Sequence, residues 1–143
     1  MGPTGEKPER TLVGVYGTLK RGHANHGAFL AAFPLVRAGA IRIRFRLFGN
    51  EEYPMLVAAR EVNPVVVETY RVDAATVSAL DAFEGQFGYR RVEVVPEGET
   101  EPVAVYVHPG PPPPGFVRAS GGEWNGEPAA FAQALERVQN RDR

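Results

Sequence analysis

The segment AATVSALDAFEG, residues 74–85, has the composition of a helix but carries an acid where its apolar stripe should continue. Val77, Leu80 and Phe83 mark a buried side at helical spacing. Glu84 follows Leu80 by four residues and Val77 by seven, and at about 100° per residue it returns to within roughly 20° of Val77. A carboxylate held on that face loses water, which raises its pKa, and the negative end of the helix dipole acts in the same sense. Such a glutamate is suited to act as a general base near neutral pH. The same pattern admits a plainer outcome, in which the last turn frays and Glu84 swings to water or pairs with Arg90 or Arg91.

A second candidate lies far away in sequence. In VYGTLKRGHANHG, residues 15–27, an apolar strand breaks into a loop with glycines at Gly17 and Gly22. The loop is either an ordinary tight turn or a place where main-chain N–H groups stay free to hold a ligand. Around the helix end cluster Tyr53, Phe83, Phe87, Tyr89 and Tyr106. The phenylalanines are best read as core. A buried tyrosine needs a hydrogen-bond partner, and Glu84 is an available acceptor, so Tyr89 stands between site and core.

Other chemistries find less support. The chain has 143 residues and no cysteine, which excludes a disulfide scaffold, thiolate zinc sites and a cysteine nucleophile. GTLKRGHANHG has the wrong order of glycine, lysine and hydroxyl for a phosphate-binding loop. His23 and His26 are three apart, but only His108 and scattered acids could complete a metal site, so no metal is expected. The net charge of −1 gives no field for nucleic acid or a membrane surface. The stripe Arg42, Arg44, Arg46 reads as a solvated strand face rather than a phosphate-binding one. No apolar run approaches a membrane span and MGPTGEKPER lacks an apolar leader core, so a cytoplasmic location is expected.

The elements that must position these residues follow from periodicity. TLVGVYG from Thr11 reads as a short buried strand, and NHGAFLAAF, Asn25 to Phe33, as a short helix capped by Asn25 and stopped before Pro34. In LVRAGAIRIRFRLFG, Ile41, Ile43, Phe45 and Leu47 alternate with the three arginines, the period of a half-exposed strand. YPMLVAA and PVVVETYRV read as two further strands, the second apolar enough to be central. Asp73 caps the helix that carries Glu84, and Gly85 is placed to end it. YRRVEVV and EPVAVYVH form a hairpin across PEGETE.

PGPPPPG, residues 109–115, is expected to be a semi-rigid extended connector. EPAAFAQALERVQ is expected to be an amphipathic helix, with Phe131, Leu135 and Val138 on one face and Trp124 as an anchor before it. The fold class is therefore α+β, a mixed, barrel-like sheet of about six strands with flanking helices. Residues 1–10 are read as a tail, 11–108 as the core, 109–115 as the connector and 116–143 as a C-terminal extension.

VYGTLKRG, YPMLV and LDAFEGQFGYRRVEV, in that order, closely resemble the gamma-glutamylcyclotransferase-like family, which includes AIG2-like proteins and gamma-glutamylamine cyclotransferase. The resemblance runs from about Leu12 to Val107. It implies a compact barrel-like sheet, no cofactor, and a small-molecule γ-glutamyl substrate cleaved to 5-oxoproline and an amine. It implies Glu84 as the general base toward the substrate's α-amine, and Tyr16, Gly17, Thr18 and Leu19 as the loop that binds the glutamyl part through main-chain N–H groups. Pro54, Tyr89 and Tyr106 complete the expected substrate contacts. On this reading Gly17 lets the backbone approach the ligand. The alternative is a non-catalytic member of the same fold that binds a small anion or amino acid.

Overall fold

The computed structural model describes residues 10–124, apart from Arg21 and Ala24. The expected N-terminal tail (but for Arg10) and the C-terminal helix with Phe131, Leu135 and Val138 lie outside the described residues.

Six strands form one curled sheet: β1 (Thr11–Val15), β2 (Leu35–Gly49), β3 (Pro54–Val72), β4 (Arg90–Val94), β5 (Val103–Val107) and β6 (Val117–Arg118). Their spatial order is β4-β5-β1-β3-β2-β6. All neighbouring pairs are antiparallel except β1 and β5, which run parallel. The α+β, barrel-like class is thus observed.

YPMLVAA and PVVVETYRV are one strand, not two. β3 runs for 19 residues, and its pairing with β2 slips from Ile43↔Asn63 to Phe45↔Ala58, so residues 59–62 bulge out between two well-paired arms. Pro64 is tolerated because β1 pairs only with Glu68–Val72, leaving Pro64 outside the doubly paired stretch. The apolar second arm is central as its composition required. β2 shows the expected alternation: Ile41, Ile43 and Leu47 are buried, Arg42 and Arg44 exposed. Arg42 and Arg46 are engaged by Glu97 and Glu61, each at 2.9 Å.

Alternation along β1 and β5 feeds two cores. Leu12, Tyr16, Val103, Val105 and Val107 pack with β2, both arms of β3 and Trp124 on one face. Val13, Val15, Ala104 and Tyr106 pack on the other, with Leu30, Tyr70, Val77 and Leu80. Every residue of β5 is buried, as a strand covered on both faces must be.

Two helices flank the sheet. α1 is only His26–Phe29, shorter than the expected 25–33. Asn25 does not cap it: its side-chain amide donates to Thr18 Oγ1 at 2.8 Å, so the cap is given up to hold the preceding loop. α2 (Ala74–Gly85) begins as expected, Asp73 Oδ1 accepting from the Thr76 amide at 2.8 Å.

α2 ends at Gly85 as expected, although Gly85 is not the left-handed glycine of its closure. The turn that closes it runs on to Gly88, whose φ is 86°. The Gly88 amide donates to the Gly85 carbonyl at 3.2 Å, and the Tyr89 amide reaches back to the Glu84 carbonyl at 3.2 Å. That pair of bonds with a left-handed glycine is a Schellman closure.

Residues 109–115 contain neither helix nor strand, and β6 then adds to the edge of β2. Trp124 is buried in the first core and donates Nε1 to the Asn50 carbonyl at 2.8 Å. The buried Lys20 ammonium donates to the Trp124 carbonyl at 2.8 Å.

Candidate active site

β1 is five residues long while its neighbour β3 is nineteen. Where β1 stops at Val15, the chain turns away, and beyond that point β5 and β3 meet directly: the His108 amide donates to the Leu56 carbonyl at 2.8 Å. A cavity of about 340 Å³ opens at this end of the sheet. That is the size of a small-molecule site.

Its walls come from four places. Tyr16, Gly17, Thr18 and Leu19 leave β1; Tyr53 and Pro54 start β3; Glu84 and Phe87 come from the end of α2; Tyr89 and Tyr106 flank β4 and end β5. The eight positions expected from sequence, Glu84, Tyr16, Gly17, Thr18, Leu19, Pro54, Tyr89 and Tyr106, therefore all line one cavity.

The Tyr16–Leu19 loop has an uneven hydrogen-bond balance. The Gly17 carbonyl accepts from the Lys20 amide at 3.0 Å and the Thr18 carbonyl from the Asn25 amide at 2.8 Å, while the Leu19 carbonyl lies 3.0 Å from His26 Nδ1. The N–H groups of Gly17, Thr18 and Leu19 donate to no acceptor among the described residues. Gly17 and Leu19 are buried. Buried main-chain donors are nearly always satisfied, so a run of spare ones beside a cavity marks a place for an acceptor. Gly17 also meets a packing constraint. A Cβ there would lie 2.7 Å from Pro54 Cγ, so the missing side chain makes room for the proline ring.

Glu84 is partly buried, and its carboxylate has no hydrogen bond or ion pair among the described residues. Burial pushes its carboxyl from 4.5 up to about 7. The anticipated partners are occupied elsewhere. Arg91 bonds Asp81 at 3.0 Å rather than Glu84. The Tyr89 hydroxyl donates to the Pro54 carbonyl at 2.6 Å, not to Glu84, and the Tyr106 hydroxyl donates to Asp81 Oδ1 at 2.7 Å. Tyr16 donates to the Tyr106 carbonyl at 2.6 Å. Burial raises all three phenols, which keeps them protonated donors. The tyrosines thus brace the cavity walls and leave the carboxylate alone.

Asn25, Asp81 and Gly88 were not expected at this site from sequence. Asn25 lines the cavity and ties down Thr18. Asp81, one turn before Glu84, locks α2 to β4 and β5 through Arg91 and Tyr106. The only sequence signal for Asp81 is its place three residues ahead of Glu84. The three histidines are dispersed, His23 beside Trp124, His26 beside Tyr70 and His108 beside Tyr89. Among the described residues no group of three or more histidines or acids is placed to hold a metal ion, and no helix is long and apolar enough to cross a membrane.

The protein is thus an α+β domain whose single mixed sheet brings a carboxylate and free main-chain donors to one cavity. The family model described as "Gamma-glutamyl cyclotransferase, AIG2-like" matches residues 13–126, and the chain belongs to that family. It is 30% identical over 77 residues to the Methanocaldococcus jannaschii protein MJ1514, provisionally named a gamma-glutamylcyclotransferase; the match covers 54% of this chain and 63% of that protein, less than two thirds of its length. The crystal structure of the Pyrococcus horikoshii protein PH0828 superimposes with a TM-score of 0.67 at 22% identity, covering 87% of this chain and 97% of that one. A mouse AIG2-like protein gives a TM-score of 0.65 at 24% identity, covering 82% and 89% respectively. These two structures share the fold.

Proposed function

We propose that the protein is a cyclotransferase acting on a γ-glutamyl amide, with Glu84 passing protons between two nitrogens. The observation that carries this is a desolvated, unpartnered carboxylate in the same cavity as the unused N–H groups of Gly17, Thr18 and Leu19. The family supports the reaction class.

In this reading the spare amides hold the glutamyl part of the substrate. The substrate's α-amine attacks its own γ-carbonyl carbon, forming the C–N bond of a five-membered ring. Ring closure is intramolecular, so the nucleophile needs no activated side chain. Glu84 takes a proton from the attacking nitrogen. As the tetrahedral centre collapses, the bond to the leaving nitrogen breaks and Glu84 returns the proton to that nitrogen. The products are 5-oxoproline and a free amine, and the carboxylate is regenerated. A carboxyl poised at about 7 suits both halves of this exchange.

The test is incubation of the full chain with γ-glutamyl amines and dipeptides, with 5-oxoproline followed by chromatography. Product from the wild-type chain and none from Glu84→Gln supports the proposal. Equal turnover in that variant removes Glu84 from the mechanism, and tight binding without any product makes the protein a non-catalytic binder on the same fold.

A further inference from the structure

Two rings at this cavity are more exposed than large apolar side chains normally are. Phe87 is 58% exposed and Tyr53 41%, yet both line the cavity that holds Glu84. Neither is a stray surface residue. Phe87 meets Phe83 edge-on with ring centroids 5.5 Å apart, and Phe83 stacks on Phe29 at 4.9 Å. Tyr53 meets Phe116 edge-on at 5.1 Å. Each exposed ring is thus steadied from behind, while its free face stays open at the rim of the cavity. Such open apolar surface, continuous with a site, is where a ligand's apolar part is covered.

The charges around the rim add a second constraint. Among the described lining residues there is no Lys, Arg or His, and Glu84 is the sole ionisable acid. Glu52 directly precedes Tyr53 and is exposed. A carboxylate on the departing amine would meet the like charge of Glu84 and, among the described lining residues, no counter-ion.

The geometry points to a substrate whose leaving amine carries an apolar ring and no carboxylate, the ring being covered by Phe87 and Tyr53. This deepens the cyclotransferase reading and rests on it. The glutamyl part lies at the Gly17–Leu19 amides, the scissile bond beside Glu84, and the ring at the exposed aromatic rim. Arylalkyl amines conjugated through the γ-carboxyl are the class that fits.

Four compounds test it: the γ-glutamyl conjugates of benzylamine, methylamine, phenylalanine and 1,5-diaminopentane. The benzylamide is expected to exceed each of the other three in kcat/KM by about tenfold or more. Phe87→Ala and Tyr53→Ala should narrow the benzylamide-to-methylamide ratio, and Phe87→Leu should restore part of it through apolar area alone. The inference is overturned if the phenylalanine conjugate matches the benzylamide, if the methylamide does, or if the diamine conjugate outranks both. If none of the four releases 5-oxoproline, the cyclisation reading fails. Calorimetric binding of the same compounds to the wild-type chain then decides recognition: the same ranking sustains it, and no preference for the ring sinks it.

Discussion

Replacing Glu84 by glutamine should make the protein more stable and catalytically dead, and the stability gain should depend on pH in a calculable way. Burial raises the carboxyl from 4.5 to about 7, and each pKa unit is worth about 1.4 kcal/mol. Keeping the carboxylate ionised in the fold therefore costs about 3 kcal/mol. Folded chains keep this proton up to about pH 7, whereas unfolded ones release it near 4.5. The stability that goes with the neutral acid is fully present below the lower value and is lost as pH rises through the upper one. Glutamine is neutral throughout. The advantage of Glu84→Gln over wild type should grow from under ~1 kcal/mol at pH 5 to ~3 kcal/mol at pH 8. Urea unfolding at both pH values measures it, and kcat should fall by about 10²–10⁴ in parallel. A stability difference that does not change with pH, or a glutamine variant less stable at pH 8, would show that the carboxylate is solvated and the reasoning wrong.

Further outcomes follow from the same geometry. In the wild-type chain kcat/KM should rise with pH through about 7 as Glu84 loses its proton, a limb that a stopped pH series of 5-oxoproline release would reveal or fail to reveal. Gly17→Ala places a Cβ 2.7 Å from Pro54 Cγ; the forced shift should lower the unfolding free energy by about 1–3 kcal/mol and raise KM as the amide row moves. Gly88→Ala meets a φ of 86°, costing about 1–2 kcal/mol; it should also lower kcat, because the turn it strains carries Glu84, and matched denaturation and kinetics would detect both.

Local rules read well where one influence dominates. Asp73 and the stripe of Val77 and Leu80 specified α2 to the residue, and the Ile41–Leu47 alternation specified the face of β2. About six strands were expected and six are present among the described residues, but the agreement hides a compensation. YPMLVAA and PVVVETYRV fuse into β3 through the bulge at residues 59–62, which only the partner strand's register reveals. β6 is two exposed residues, Val117 and Arg118, with no periodicity to announce it. α1 stops at Phe29 rather than Phe33, and Asn25 gives its amide to Thr18, a contact local to the loop but invisible to helix rules.

At the site, residue identities were legible and pairings were not. Glu84 stood out because an acid on an apolar stripe conflicts with packing. The tyrosine hydroxyls had several acceptors within reach in principle, and only the folded backbone selects Pro54, Asp81 and the Tyr106 carbonyl. Gly17 was read as serving a ligand, and no sequence signal pointed to its close neighbour Pro54, 37 residues later in the chain.

The spare donors at Gly17, Thr18 and Leu19 belong to the main chain. Apart from proline, which carries no N–H, no side-chain substitution deletes them; otherwise only a change in the path of the polypeptide can. If the function is as proposed, a descendant that traded Glu84 for an inert residue would keep its grip on the acidic end of the ligand, and one that redrew Tyr53 or Phe87 would accept new amines over an unaltered anchor. Recognition is thereby the durable half of this pocket, while reactivity and selectivity are each one codon from change.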